Sequence, residues 1–116
     1  MKVETSALIG SALDWAVAQL EKPQLSQTSS NTTALRHGGA YAPSTDWSQG
    51  GPIIEREAYN LFKHNGGSEW CCACNVQRDG YTAIITADGP TPLIAAMRCY
   101  VASKLGDEVE VPDGLL

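Results

Sequence analysis

The sequence predicts a small α+β domain in which an antiparallel β-hairpin packs against helices, and three observations support this class. Residues 92–105 carry apolar side chains at helical spacing. The side chains of residues 69–76 alternate between two sets at strand spacing, and residues 81–86 are rich in β-branched side chains. An Arg-Asp-Gly turn lies between these two segments, which indicates a hairpin over about 69–86. Further helical patterns precede this hairpin, an order typical of a small sheet covered by helices.

The helix predicted over residues 92–105 has the clearest local signals. The Thr91 hydroxyl can accept a hydrogen bond from a first-turn N–H, and Pro92 suits the first helical position. Lys104 complements the negative end of the helix dipole, and Gly106 suits the left-handed conformation that ends many helices. Five apolar side chains, each worth about 1.5–3 kcal/mol when buried, should make this helix the centre of the core. They are Leu93, Ile94, Met97, Val101 and Leu105.

An apolar stripe predicts another helix over about residues 6–22, begun by Thr5 or Ser6 and ended by Pro23. Asp14 and Glu21 fall mostly outside this stripe. Residues 2–4 can form a short strand before it. The polar, low-complexity segment that follows is predicted to be a flexible loop at about 23–40, within a single domain spanning residues 1–116.

Residues 41–52 have the composition of turns, yet Tyr41 and Trp47 indicate an ordered and packed segment. A second helix is predicted over residues 52–64, although a strand over 53–57 is an open alternative because short apolar runs are ambiguous. The tail at residues 108–112 can add one more short edge strand.

Charge and hydropathy exclude two classes of partner. The net charge is −5, with only 8 lysines and arginines and no cluster of them, which argues against binding a nucleic-acid polymer. No apolar run approaches the roughly 18 residues that span a bilayer, so we expect no membrane association. The four cysteines are then expected to be reduced thiols in a cytosolic protein.

The cysteines do not have the spacing of a metal site. Zinc sites usually use Cys-x2-Cys pairs, and on a strand Cys71 points away from Cys72 and Cys74. Neither histidine lies at metal-ligand spacing from them. We therefore expect structural thiols, with no metal and no cofactor.

Catalytic patterns are weak. Neither His37 nor His64 is placed beside Cys99 by any pattern, and no Gly-x-Ser-x-Gly motif is present. A carboxylate pair drawn from Asp46, Glu55 and Glu57 is the remaining enzymatic alternative. We expect a protein that is not an enzyme.

Two Gly-Pro turns, at residues 50–52 and 89–92, precede predicted helices and favour a binding function. A helix N-terminus offers unpaired N–H groups to an anion, and glycine lets a ligand approach the backbone. If residues 41–52 and 88–92 share a cleft, nine residues could contact a small anionic ligand. They are Tyr41, Ser44, Asp46, Trp47, Gly50, Gly51, Arg56, Thr91 and Arg98. The alternative is that these turns only start helices and that the Tyr41–Trp47 loop only covers the core.

Four sequence blocks resemble the NinX-like family of small phage proteins, a domain of unknown function. They lie at residues 12–18, 41–47, 50–57 and 89–108, and the last is a long contiguous match. The resemblance implies a phage accessory protein in the host bacterial cytoplasm, and it implies no activity. A host-defence signal would be a natural target for such a protein.

The partners we consider are therefore a small phosphorylated or nucleotide-like ligand, a host protein, and a second copy of the chain.

Overall fold

The computed structural model describes residues 1–25, 41–57, 59–63, 67 and 69–115. This part of the chain contains three α-helices and five strands. In chain order they are β1 (Lys2–Glu4), α1 (Gly10–Leu25), α2 (Trp47–Glu57), β2 (Asn60–Lys63), β3 (Trp70–Arg78), β4 (Tyr81–Gly89), α3 (Pro92–Leu105) and β5 (Glu108–Glu110). Short 3-10 helices lie at Thr5–Ala7 and Asp113–Leu115. The predicted α+β class is confirmed. None of the helices in these ranges is long and apolar enough to cross a bilayer.

β3 is the central strand of the larger antiparallel sheet, with β2 and β4 on its two sides. β3 and β4 pair from Trp70 opposite Gly89 to Arg78 opposite Tyr81, which confirms the predicted hairpin and extends its second strand to Gly89. Gly80 closes the turn with a φ of 79°, a conformation that glycine adopts without steric penalty.

β1 and β5 form a separate two-stranded antiparallel sheet in which Val3 lies opposite Val109. The sequence allows both short strands, with a simple lead-in as the alternative for residues 2–4. Thr5 fastens this sheet to the end of α3, because its N–H donates to the Asp107 carbonyl at 2.7 Å and its hydroxyl donates to the Gly106 carbonyl at 2.7 Å.

α3 is the centre of the core and has the predicted limits. The Thr91 hydroxyl accepts the N–H of Ile94 at 3.1 Å, and Gly106 ends the helix with a φ of 90° and an N–H donated to the Ala102 carbonyl. The helix packs on the inner face of β3 and β4 and against α1. Its buried residues are Leu93, Ile94, Ala95, Ala96, Met97, Cys99, Tyr100 and Val101.

The predicted limits of the first helix, 6–22, are wrong at both ends. Thr5 and Ser6 belong to the 3-10 turn, and Thr5 uses its hydroxyl on Gly106 instead of capping a helix. α1 then starts at Gly10 and continues past Pro23 to Leu25, since a proline near the end removes only one hydrogen bond of the last turns. Of the loop predicted at 23–40, residues 23–25 are helical and residues 26–40 lie outside the described ranges.

The limits predicted for the second helix, 52–64, are also wrong. α2 runs from Trp47 to Glu57, so the strand alternative for 53–57 is wrong as well. Asp46 caps α2 by accepting the Ser48 N–H at 2.9 Å, and Pro52 lies inside the helix and not at its start. The chain then becomes β2, in which Leu61 lies opposite Cys72. Pairing with β3 makes this segment a strand, and no local sequence signal predicts that pairing.

We predict opposite effects of adding a methyl group at the two adjacent glycines of α2. A Cβ at Gly50 would collide with the Pro43 carbonyl oxygen and lie 2.7 Å from Leu93 Cδ2, so Gly50→Ala should destabilise the fold by roughly 1–3 kcal/mol. A Cβ at Gly51 would come no closer than 3.8 Å to Trp47, so Gly51→Ala should stabilise α2 by roughly 0.5–1 kcal/mol.

Urea unfolding of both variants tests this pair. Equal effects of the two substitutions would contradict the close contact between Gly50 and the start of α3.

Candidate functional site

The segment before α2 is ordered by hydrogen bonds to α1 and α2. The Ser44 N–H donates to Asp14 Oδ1 of α1 at 2.9 Å, and the Ala42 N–H donates to the Gln49 side chain. Tyr41 and Ser44 are buried. The prediction that this segment is packed is confirmed at Tyr41 but not at Trp47, which is 54% exposed. Partial burial of Asp14 raises the pKa of its carboxyl group.

The two predicted anion sites at helix starts already have partners within the protein. At α2, the Asp46 carboxylate accepts both the N–H and the hydroxyl of Ser48, and the Asp46 carbonyl accepts the N–H groups of Gln49 and Gly50. At α3, Thr91 accepts the N–H of Ile94. An anion would have to compete with these contacts, and at α2 with a carboxylate.

Residues 41–52 do meet the start of α3, but the contact between them is packed. Gly50 lies directly against the Pro43 carbonyl and the Leu93 side chain, without space for a single methyl group. Tyr41 is buried, whereas 54% of Trp47 is exposed. At Gly50 the two segments therefore join two helices and leave no room for a ligand.

Arg56 is the centre of a partly buried polar network that joins the three helices. Its Nη1 and Nη2 donate to the two carboxylate oxygens of Glu21 on α1, at 3.0 and 2.8 Å. Nη2 also donates to the Tyr100 hydroxyl on α3 at 3.2 Å, and Nε donates to Glu57 at 3.0 Å. The Tyr100 hydroxyl donates to Glu21 in turn. We call Glu21, Arg56 and Tyr100 the three-helix network.

The charges in this network are strongly coupled. Glu21 is buried with 4% exposure, and its hydrogen bonds to Arg56 raise the pKa of the guanidinium above its ordinary value. Burial, followed by the contact with Glu21, raises the pKa of Tyr100. Arg56 therefore neutralises an internal carboxylate, so a ligand phosphate would have to displace Glu21.

Sequence reasoning missed Glu21, although one signal was available. Glu21 follows Leu13 and Val17 at intervals of four residues, so it continues the buried side of α1. An acidic residue at such a position predicts a basic partner on a neighbouring helix.

Arg98 lies apart from the other predicted site residues, in a cleft of about 320 Å³ between β4, α3 and the small sheet. We call it the Arg98 cleft. Its lining residues are Glu4, Thr5, Ser6, Thr86, Ala87, Arg98, Ala102, Asp107 and Glu108.

Two backbone carbonyls hold the Arg98 guanidinium in place. Nε donates to the Leu8 carbonyl and Nη1 to the Asp88 carbonyl, each at 2.8 Å. Nη2 has no hydrogen-bond partner among the described residues. Partial burial lowers the pKa of Arg98, but an arginine remains charged at neutral pH.

The comparison with protein families identifies the family to which the chain belongs. The family model described as "Bacteriophage P22, NinX" matches residues 4–104, which include α1, α2, the larger sheet and all of α3 except its last residue. The chain belongs to this phage NinX family. No curated protein matches the sequence.

Membership in the NinX family makes the chain a phage accessory protein. The matched range contains the three-helix network. It also contains most of the Arg98 cleft, except Asp107 and Glu108.

The four cysteines of this NinX-family protein are free thiols and buried. Cys74 and Cys99 face each other between β3 and α3 with 3.4 Å between their sulfur atoms, while Cys71 lies on the opposite face of β3 from Cys72. Burial, followed by the contact with Cys99, raises the pKa of Cys74 to about 12. Among the described residues, no group of three or more histidine, cysteine, aspartate or glutamate side chains is placed to hold a metal.

We predict that Arg56→Ala destabilises the protein by about 2–3 kcal/mol. It leaves the buried Glu21 carboxylate unpaired, and the loss should be smaller than for a fully buried pair because 35% of the Arg56 side chain is exposed. The double variant Glu21→Gln/Arg56→Gln should be more stable than Arg56→Ala, since no buried charge remains unpaired.

Glu55→Ala, at an exposed position of the same helix, is the control and should change stability by less than about 0.5 kcal/mol. Urea unfolding measures all of these variants. If Arg56→Ala behaved like the control, the network would not hold the helices together.

We predict that stability decreases as the pH rises above about 9. The Cys74 thiol of the unfolded chain ionises near its ordinary pKa of 9.0, whereas the folded protein keeps the proton until about 12. In this range the unfolded chain binds fewer protons, so a rising pH favours unfolding. Urea unfolding on both sides of pH 9 measures this decrease, and Cys74→Ala should make it less steep. Equal stabilities on the two sides would contradict the raised pKa.

Proposed function

We propose that this phage protein binds a small ligand in the Arg98 cleft, without catalysis, in the host cytoplasm. The ligand would carry an acidic group together with amino groups, as a nucleotide does. The observation that carries the proposal is the fixed guanidinium of Arg98, a residue that lines the cleft and whose Nη2 has no hydrogen-bond partner among the described residues.

An arginine held in this way is prepared for an acidic group. The Leu8 and Asp88 carbonyls fix the plane of the guanidinium, so little side-chain entropy is lost when a ligand binds. The hydroxyl groups of Ser6 and Thr86 line the same cleft and can donate to phosphate or carboxylate oxygens. Hydrogen bonds between such charged groups are the stronger ones in proteins.

The acidic residues of the cleft narrow the class of ligand. Glu4, Asp107 and Glu108 also line it, and they would repel an ion such as inorganic phosphate. They would accept hydrogen bonds from the amino group of a nucleobase. The proposed anionic or nucleotide-like ligand therefore carries both an acidic group and amino groups. A nucleotide used as a host-defence signal fits this description.

The placement of the candidate catalytic groups favours binding over catalysis. Asp46 caps α2, and Glu57 is paired with Arg56 and Lys104. Cys74 and Cys99 have raised pKa values, which keep them from acting as thiolate nucleophiles at neutral pH. Neither histidine lies within the described ranges.

A second candidate function is the binding of a host protein through the start of α2. Trp47 is 54% exposed there, beside the exposed Pro52. Tryptophan is enriched among the residues that dominate the binding energy of protein interfaces.

Thermal unfolding in the presence of nucleotides tests the proposal. Mononucleotides and cyclic dinucleotides are the probes, and inorganic phosphate is the control for simple anion binding. A nucleotide at about 100 times its dissociation constant should add about 2.7 kcal/mol of stability and raise the Tm by several degrees. Arg98→Gln should weaken binding roughly 10- to 100-fold, because it removes a charged hydrogen bond.

Trp47→Ala is the matched control and should leave nucleotide binding unchanged. Circular dichroism establishes that Arg98→Gln is folded, since Arg98 also bonds to two carbonyls. If no nucleotide shifts the Tm, and if Trp47→Ala abolishes capture of a host protein that Arg98→Gln retains, the second candidate replaces the first.

A further inference from the structure

β4 is a long edge strand without the usual protection of an edge. It runs for 9 residues from Tyr81 to Gly89, and among the described strands it pairs only with β3. Residues 81–87 contain no charged residue and no proline. Two large apolar side chains on this strand are exposed, Tyr81 by 62% and Ile84 by 69%.

Monomeric proteins commonly protect such edges with charges, prolines, bulges or very short strands, because an unpaired edge is a template for another strand. The other edge of this sheet follows that rule, since β2 has only 4 residues and ends in Lys63. β4 follows none of these rules over residues 81–87. Its side chains therefore suit a strand partner.

A second copy of the chain fits this edge on grounds of charge. The chain has a net charge of −5, so most surfaces of two copies repel each other, whereas residues 81–87 are neutral. Antiparallel pairing of a strand with itself is a closed two-fold contact, which is the commonest arrangement in homodimers. We propose that two copies pair through β4 and join their sheets into one of six strands.

The start of β4 is the part that can pair. Near its end, Arg98 is bonded to the Asp88 carbonyl, and Thr86 and Ala87 line the Arg98 cleft, with Thr5 and Ser6 also in its lining. A two-fold axis at Ala83 keeps the contact within residues 81–85. Tyr81 then lies opposite Ile85 of the other copy, and Thr82 lies opposite Ile84.

This register places each exposed apolar side chain beside a residue of the other copy and leaves the Arg98 cleft open. Tyr81 lies on the same face of the sheet as Ala83 and Ile85, whereas Ile84 lies on the opposite face with Thr82. The pairing does not depend on the proposed ligand, so each proposal can fail without the other.

Sedimentation equilibrium of the whole chain tests the pairing. The unmodified protein should show a reversible monomer–dimer equilibrium. Ile84→Lys should raise the dissociation constant by at least about tenfold, because it places a charge in the contact. Ile9→Lys is the matched control, since Ile9 is 54% exposed but lies outside the sheet, and it should leave the equilibrium unchanged.

Disulfide capture tests the register. At the two-fold axis Ala83 faces its own copy, with about 4.5–5.5 Å between Cα atoms, which suits a disulfide. Ala83→Cys should therefore give a cross-linked dimer under mild oxidation, whereas Ile9→Cys should not. A monomer at all concentrations would overturn the proposal. So would a dimer that Ile84→Lys leaves intact and Ala83→Cys does not cross-link.

Discussion

The fold depends on one buried charge and its partners. Glu21 places a carboxylate in a position on α1 that the core cannot hold unless the charge is compensated. Arg56 of α2 and Tyr100 of α3 supply that compensation through hydrogen bonds. The network fixes the orientation of α2, because the two carboxylate oxygens and the two guanidinium nitrogens must align.

This constraint explains why residues that resemble a binding site have structural roles. Asp46 caps α2, Gly50 allows α2 to touch Leu93, and Arg56 holds Glu21. Each contact joins α2 to its own cap or to a neighbouring helix. These residues need not contact a ligand, since the packing of three helices already requires them.

The proposed ligand-binding site lies on the other side of α3. Tyr100 points toward the three-helix network, whereas Arg98 points toward the small sheet, so one helix carries a structural contact and a candidate binding group two residues apart. The edge strand β4 lies beside the same cleft, but the proposed pairing uses residues 81–85, none of which lines the cleft. In this arrangement the proposed ligand, a second copy of the chain and the three-helix network would each contact a separate part of the protein.

The sequence by itself determined α3 and the β3–β4 hairpin, because their signals are local. Thr91 and Pro92 favour the start of a helix, and Gly80 favours a tight turn. The tertiary structure alone decided that the residues after α2 form a strand, because β2 exists only through its hydrogen bonds to β3. It also decided that Glu21 is internal and that Arg98 opens into a cleft. Both facts depend on contacts between residues far apart in the chain, which local spacing does not encode.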